Sequence, residues 1–104
     1  MSSFNIANVP CGGDNPLLLI AGPCQVEGPD HALMCAEALA GMAADAGMGF
    51  VYKSSYDKAN RTSAGSARGV GMDAGLRIFQ QVKDAIGCPV LTDVHLPDQC
   101  APVA

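Results

Sequence analysis

Three short apolar runs, set at nearly even intervals, constrain this chain more than any other feature of its sequence. Leu17-Leu18-Leu19-Ile20-Ala21, Gly49-Phe50-Val51-Tyr52-Lys53 and Pro89-Val90-Leu91-Thr92-Asp93 begin at residues 17, 49 and 89. Such intervals hold one strand, one helix and their turns, the repeat of consecutive βα units around a parallel sheet. The first run is continuous and bounded by Pro16 and Gly22-Pro23, which reads as a strand buried on both faces.

The segments between the runs carry helical patterns. Pro29-Asp30 offers a helix start, and His31 to Ala46 is rich in Ala, Leu, Met and Glu, all strong helix formers. Leu33, Ala36, Ala40 and Ala43 form its stripe, and Gly47 is a left-handed stop. A second helix runs from Asp73 to Ile86, with Ile78, Val82 and Ile86 as its apolar stripe, Phe79 beside them and Gly87 behind. Residues 1–15 mix Asn, Gly, Pro and Asp around the alternating piece Phe4 to Val9, which suggests a short strand or extended lead-in. Asp98 to Ala104 reads as the start of a third helix. Met34, Met42, Met48 and Met72 read most simply as core filler. The predicted order is β-α-β-α-β-(α).

Composition excludes several classes. Hydrophobic residues make up 49% of the chain and charged residues 15%, against roughly 25% charged in an average globular domain. A chain this apolar has ample surface to bury and is not disordered. Its 12 Gly follow no triplet period, which excludes collagen. The longest apolar stretch, Leu17 to Ala21, falls far short of the about 20 residues of a membrane span. No basic residue precedes an apolar run near the amino terminus, so no secretory signal is expected. Five cysteines, at 11, 24, 35, 88 and 100, include no CxxC pair, which signals neither a disulfide framework nor a zinc ribbon. Free thiols fit a reducing, cytoplasmic setting. At 104 residues the length suits one domain and is too short for a whole (β/α)8 barrel of roughly 250 residues.

The placement of charge tells more than the net value of −4. No Lys or Arg precedes Lys53, whereas Asp14, Glu27, Asp30, Glu37 and Asp45 do. Lys53, Lys58, Arg61 and Arg68 then fall close together. Two lysines and an arginine offer point charges and a planar fork for phosphate or carboxylate oxygens. Asn60 and several serines add neutral donors, and loop amides could supplement them. A nucleic acid would want a broader basic surface and aromatic stacking partners. The chain has no Trp, 2 Tyr and 3 Phe. GxxxxGK[ST] and GxGxxG are both absent.

Each predicted strand also ends in reactive side chains. Gly22-Pro23-Cys24 follows the first, Lys53-Ser54-Ser55 the second and Thr92-Asp93-Val94-His95 the third. The carboxyl ends of parallel strands are where α/β folds place their sites. Plainer roles exist for each residue taken alone. Cys24 could be a small buried hydrophobe. Lys53 and Lys58 could be solvated. Arg61 could pair with Asp57. Asp93 could cap the next helix, and His95 could be structural. The long polar stretch from Ser54 to Gly71 is more often functional than a plain connector.

Four segments together resemble a known family. Ala21-Gly22-Pro23-Cys24 with Glu27, the run Lys53-Ser54-Ser55-Tyr56-Asp57-Lys58-Ala59-Asn60-Arg61-Thr62-Ser63, Arg68-Gly69-Val70-Gly71, and Thr92-Asp93-Val94-His95 are similar to the 3-deoxy-D-manno-octulosonate-8-phosphate synthases. The resemblance extends from about Leu17 to Ala104. The related 3-deoxy-arabino-heptulosonate-7-phosphate synthases usually carry Lys-Pro-Arg-Thr where this chain has Lys-Ala-Asn-Arg-Thr-Ser.

The resemblance implies a (β/α)8 TIM barrel, of which residues 1–104 would be the amino-terminal part of a single domain, roughly three βα units. It implies condensation of phosphoenolpyruvate with D-arabinose 5-phosphate for lipopolysaccharide synthesis, by a cytoplasmic homotetramer with neither nucleic acid nor membrane as partner. Lys53, Ser55 and Lys58 match positions that hold phosphoenolpyruvate. Asn60 and Asp93 match positions that grip the pentose phosphate, and Arg61 one that reaches it across a subunit interface. Lys58 and Asp93 are the candidate catalytic residues. Cys24 matches the cysteine that marks the metal-dependent branch; the other branch has Asn there. A divalent ion (iron, zinc, manganese or cobalt) is therefore expected, completed by a His, a Glu and an Asp from later strands. Gly28, Ala67, Val70 and Leu96 depart from the usual Ser, aromatic, Pro and Glu. Two alternatives stay open: the seven-carbon synthase, and a non-catalytic anion-binding α/β fragment.

Overall fold

The second apolar run shows why a sheet forms. Phe50, Val51 and Tyr52 are the residue types that a pleated, half-buried surface accommodates best. In the computed structural model, which describes residues 2–57 and 70–104, they form the centre of a three-stranded parallel sheet. Its order is β3 (Leu18–Ala21), β4 (Gly49–Lys53), β5 (Val90–Leu91). Leu19 pairs with Phe50 and Ala21 with Tyr52; Tyr52 in turn pairs with Val90 and Lys53 with Leu91. Each crossover carries a helix, α1 (Pro29–Asp45) and then α2 (Met72–Ile86), as the spacing predicts. The third strand is shorter than its sequence run, because backbone pairing ends at Leu91.

One side of the sheet holds the core. Leu19, Ala21, Phe50, Tyr52 and Val90 face Ala36, Ala43, Ile78, Phe79 and Val82 of the two helices. Tyr52 and Phe79 meet edge to face, centroids 6.2 Å apart. Burying a Val or Phe side chain of this kind contributes about 1.5–3 kcal/mol. α1 turns Ala32, Ala36 and Ala43 inward, and their small size lets it lie close to its neighbours. Met34 and Met42 fall on the outward face, 61% and 62% exposed. They are not core filler, whereas Met48 and Met72 do pack against the core. α2 is strongly two-faced, with Ile78, Phe79 and Val82 buried and a Gln80–Asp84 hydrogen bond of 2.9 Å on its wet side. Gly47 follows α1 and Gly87 ends α2, both at positive φ as expected.

Three further expectations are corrected. The first apolar run is not buried on both faces: Leu17 is 78% and Ile20 47% exposed. Among the described residues, helices cover one face of the sheet, and on the other face Val51 alone of the strand centre is buried. The lead-in is a hairpin, β1 (Ser3–Ile6) antiparallel to β2 (Val9–Gly12), since Ala7 at φ 51 turns the chain back on itself. The hairpin packs beside the amino end of β4, Val9 lying over Gly49. The last segment opens as a 3-10 turn, Pro97–Gln99, before α3 (Cys100–Val103). Pro97 starts the turn one residue ahead of the predicted helix. No helix among the described residues is long and apolar enough to cross a membrane.

Candidate active site

The ladder between β3 and β4 continues past the strand ends. Ser55 N–H donates to the Cys24 carbonyl at 3.2 Å and Val26 N–H to the Ser55 carbonyl at 2.8 Å, with a parallel bridge between Gln25 and Ser55. Ser54, fully buried, ties the three strand ends together. Its hydroxyl donates to the Pro23 carbonyl at 2.7 Å, and its amide to the Leu91 carbonyl at 3.2 Å. Gly22 permits the close approach: a Cβ there would lie 1.8 Å from the Lys53 carbonyl oxygen. These contacts set Cys24, Lys53 and Ser55 side by side at one edge of the sheet. Cys24 is an exposed free thiol rather than a buried hydrophobe. Lys53 closes β4 half-buried.

The segment after β5 supplies the third part of this rim. His95 Nε2 lies 3.8 Å from Asp93 Oδ2, an ion pair when the imidazole is protonated. Asp93 does not cap the following turn, whose N-cap is Leu96 without a side-chain cap bond. Lys58, Asn60 and Arg61 lie outside the described residues, as does Arg68.

Unpartnered buried polar atoms concentrate here. Among the described residues, Ser55 Oγ, Thr92 Oγ1 and His95 Nε2 are buried without a hydrogen-bond partner. The other two such atoms, His31 Nδ1 and Tyr52 Oη, belong to α1 and to the side chain of β4 that faces the helices. A buried group left unpaired costs about 1–3 kcal/mol, and folded proteins rarely leave such groups without a reason. Thr92 lines a recess beside Leu76, Phe79 and Val103 of the helices, whereas Ser55 and His95 belong to the segments just past β4 and β5, where a ligand rich in oxygen atoms would satisfy them.

The sequence gives little sign of two residues that shape this rim. Tyr56 is fully buried, and its hydroxyl donates to Gln99 Oε1 at 2.7 Å. Its ring stands edge-on to His95, centroids 5.8 Å apart. Burial raises its phenol above the ordinary value, with the carboxylates of Asp93 and Asp57 adding to the effect. Gly75 of α2 makes room for it, since a Cβ there would come within 2.5 Å of the Tyr56 Cβ. An aromatic inside a polar loop is the only cue to Tyr56 in the sequence, and Gln99 has none. Thr92 stands in the strand-end motif with no cue of its own.

Among the described residues, no group of three or more His, Cys, Asp or Glu gathers closely enough to hold a metal ion. Cys24 by itself offers one soft, accessible donor, which suits a divalent transition metal whose other ligands come from elsewhere.

A parallel βα array with its polar side chains gathered at the strand ends is the layout of an α/β enzyme site, and the comparisons agree with that class. The profile of the DAHP synthetase I family matches residues 3–104, and the chain belongs to that family. It is 52% identical over 101 residues to a 2-dehydro-3-deoxyphosphooctonate aldolase of Rickettsia bellii (strain OSU 85-389), covering 97% of this chain and 37% of the relative. It is 58% identical over 103 residues to the protein of that name from Rhodopseudomonas palustris (strain TIE-1), covering 99% and 36%. The Methylobacterium radiotolerans protein of that name is 57% identical over 89 residues, 86% and 31%. The chain thus spans about a third of the length of these relatives.

Proposed function

We propose that this chain is the amino-terminal part of a 3-deoxy-D-manno-octulosonate-8-phosphate synthase, holding about the first three βα units of a (β/α)8 barrel. The proposed reaction joins the methylene carbon of phosphoenolpyruvate to the aldehyde carbon of D-arabinose 5-phosphate. It consumes one water and releases inorganic phosphate, and the product feeds lipopolysaccharide synthesis. The observation that carries this reading is the pair of unpartnered buried atoms, Ser55 Oγ and His95 Nε2, in the segments just past strand ends that also bear Lys53 and Asp93. The names of the 50–58% identical relatives support the choice of substrate. The name of the matching family favours the second reading, the seven-carbon synthase.

In the proposed mechanism Lys53, Ser55 and Lys58 neutralise and hydrogen-bond the phosphate and carboxylate of phosphoenolpyruvate. Asn60, Arg61 and Asp93 hold the pentose phosphate, with Arg61 reaching across a subunit interface of a homotetramer. Holding two anionic reactants in register, with their charge compensated, can supply a large part of a condensation barrier. Lys58 and Asp93 would act as the catalytic pair. Cys24 would be one ligand of a divalent metal, which when bound would polarise the aldehyde or orient the water. We place the enzyme in the cytoplasm, with neither nucleic acid nor membrane as partner.

The test is an assay of the complete protein with phosphoenolpyruvate and either pentose or tetrose phosphate. Arabinose 5-phosphate should be consumed; consumption of erythrose 4-phosphate alone would transfer the protein to the seven-carbon synthases. Chelation or Cys24→Ala should abolish activity, and activity untouched by chelation removes the metal. The 104-residue chain by itself should be inactive, and turnover by it would refute its being only a part; a stable 104-residue domain that binds phosphorylated ligands and turns nothing over would instead favour a non-catalytic anion-binding module.

A further inference from the structure

Gln99 does more than its place in a short turn requires. Its side-chain oxygen Oε1 accepts three hydrogen bonds: from Tyr56 Oη at 2.7 Å, from His95 N–H at 2.8 Å and from Leu96 N–H at 3.2 Å. The last is the ordinary reach-back of a residue in the first turn of a helix to its N-cap amide. The first two are not. Two of the three donors are backbone N–H groups, which can only donate, so the atom facing them must be the amide oxygen. Gln99 is half-buried and Tyr56 is fully buried, so little water is at hand to replace the oxygen.

Tyr56 follows β4, and His95 follows β5. One oxygen therefore joins the two segments that carry Ser55 on one side and Asp93 with His95 on the other. The ring of Tyr56 stands edge-on to the imidazole at 5.8 Å and 65°, and the imidazole Nε2 lies 3.8 Å from Asp93 Oδ2. Gly71 N–H donates to the Tyr56 carbonyl at 3.0 Å, and Gly75 leaves space for its Cβ, so Tyr56 itself is anchored to the start of α2.

We infer that Gln99 is a positioning residue for the rim: through Tyr56 and the His95 amide it fixes the His95 imidazole, and with it Asp93, relative to the end of β4. The inference deepens the proposed function and rests on it for the ligand, arabinose 5-phosphate, that Asp93 would meet.

The test uses the complete protein, of which this chain is the proposed amino-terminal part, and three variants of it. Gln99→Met keeps the length of the side chain without the acceptor. Gln99→Glu keeps an acceptor at the same reach. Tyr56→Phe removes only the hydroxyl. The structural readout is the nuclear Overhauser contact between the Tyr56 and His95 rings, and the ligand readout is affinity for arabinose 5-phosphate and for phosphoenolpyruvate. Gln99→Met should lose the ring contact and weaken arabinose 5-phosphate by about tenfold, the effect of losing one or two such bonds. Phosphoenolpyruvate, held from the β4 side, should change less than about twofold. Gln99→Glu should keep the ring contact; its charge repels anions, so it is read by that contact alone. The inference is overturned if Gln99→Met keeps the contact and both affinities, if it weakens both ligands equally, or if Gln99→Glu behaves as Gln99→Met. Should Gln99→Met not fold, Tyr56→Phe decides: selective loss of pentose affinity supports the inference and unchanged affinity overturns it. A complete wild-type protein that binds neither ligand counts against the proposed function, and the ring contact then decides the positioning role.

Discussion

Toward the helices, the sheet presents Phe50 and Tyr52 to Ile78, Phe79 and Val82, and all five are buried. On its opposite face Ile20 and Leu91 remain exposed, and at the carboxyl ends Ser55, Thr92 and His95 keep buried atoms without partners. One region is completed by apolar contact alone. Among the described residues, the other leaves both apolar surface and hydrogen-bonding capacity unused. Tyr52 sharpens the contrast, because its hydroxyl is also buried and unpartnered but sits on the helix side. An orphaned hydroxyl in a packed core is a burden to stability. The same orphan at a rim of strand ends is an offer to a ligand.

The largest expected effect tests the packed side. Phe79→Ala should destabilise the chain by about 3–5 kcal/mol, read from the midpoint of urea unfolding; a loss below about 1 kcal/mol would mean the two sides are not so different. Gly22→Ala comes next, at about 3 kcal/mol, because its Cβ would meet a backbone carbonyl that no side-chain rotation can relieve.

The third prediction concerns pH. Burial, reinforced by the nearby Cys35 thiol, pushes the Tyr52 phenol up to about 12 from 10.0. The folded chain therefore holds this proton more tightly than the unfolded one. The stability it contributes is fully present below pH 10 and is lost as pH rises toward 12, by about 2–3 kcal/mol. Tyr52→Phe should remove that dependence, and an unchanged alkaline profile would count against the assignment.

Ser55→Ala separates burden from offer. Removing an unpartnered hydroxyl should raise stability by about 1 kcal/mol, and it should weaken phosphoenolpyruvate by about tenfold in a titration of the complete protein. Tyr52→Phe should share the first effect and not the second. If both variants bind alike, the rim loses its distinction from the core. The smallest effect belongs to Ile20→Thr on the open face, within about 0.5 kcal/mol; a larger loss would show that face to be covered.

The sequence was most informative where periodicity and burial coincide. β4 matches its predicted run residue for residue, and α1 and α2 end within a residue or two of their predicted limits. Periodicity could not show how many faces of a strand are covered, because a continuous apolar run looks the same with one layer of helices or two. It also missed the β1–β2 turn, where Ala7, lacking any turn signature, takes φ 51. At the site, the strand-end motifs named Cys24, Lys53, Ser55 and Asp93, which lie on the ends of neighbouring strands. Gln99 stayed invisible, since its role depends on three donors drawn together by tertiary folding and not on any local pattern. Met34 and Met42 misled because helix propensity and hydrophobicity do not say which way a side chain points.

Ser54 carries a consequence for the order of events in folding. Its hydroxyl meets Pro23 across the first crossover and its amide meets Leu91 across the second. Neither bond can form until the loop it spans has closed, and closing such long loops is slow. Of all the amides in the chain, that of Ser54 should be among the last to gain protection as the molecule assembles. It marks the moment when three separate strand ends first become a single edge.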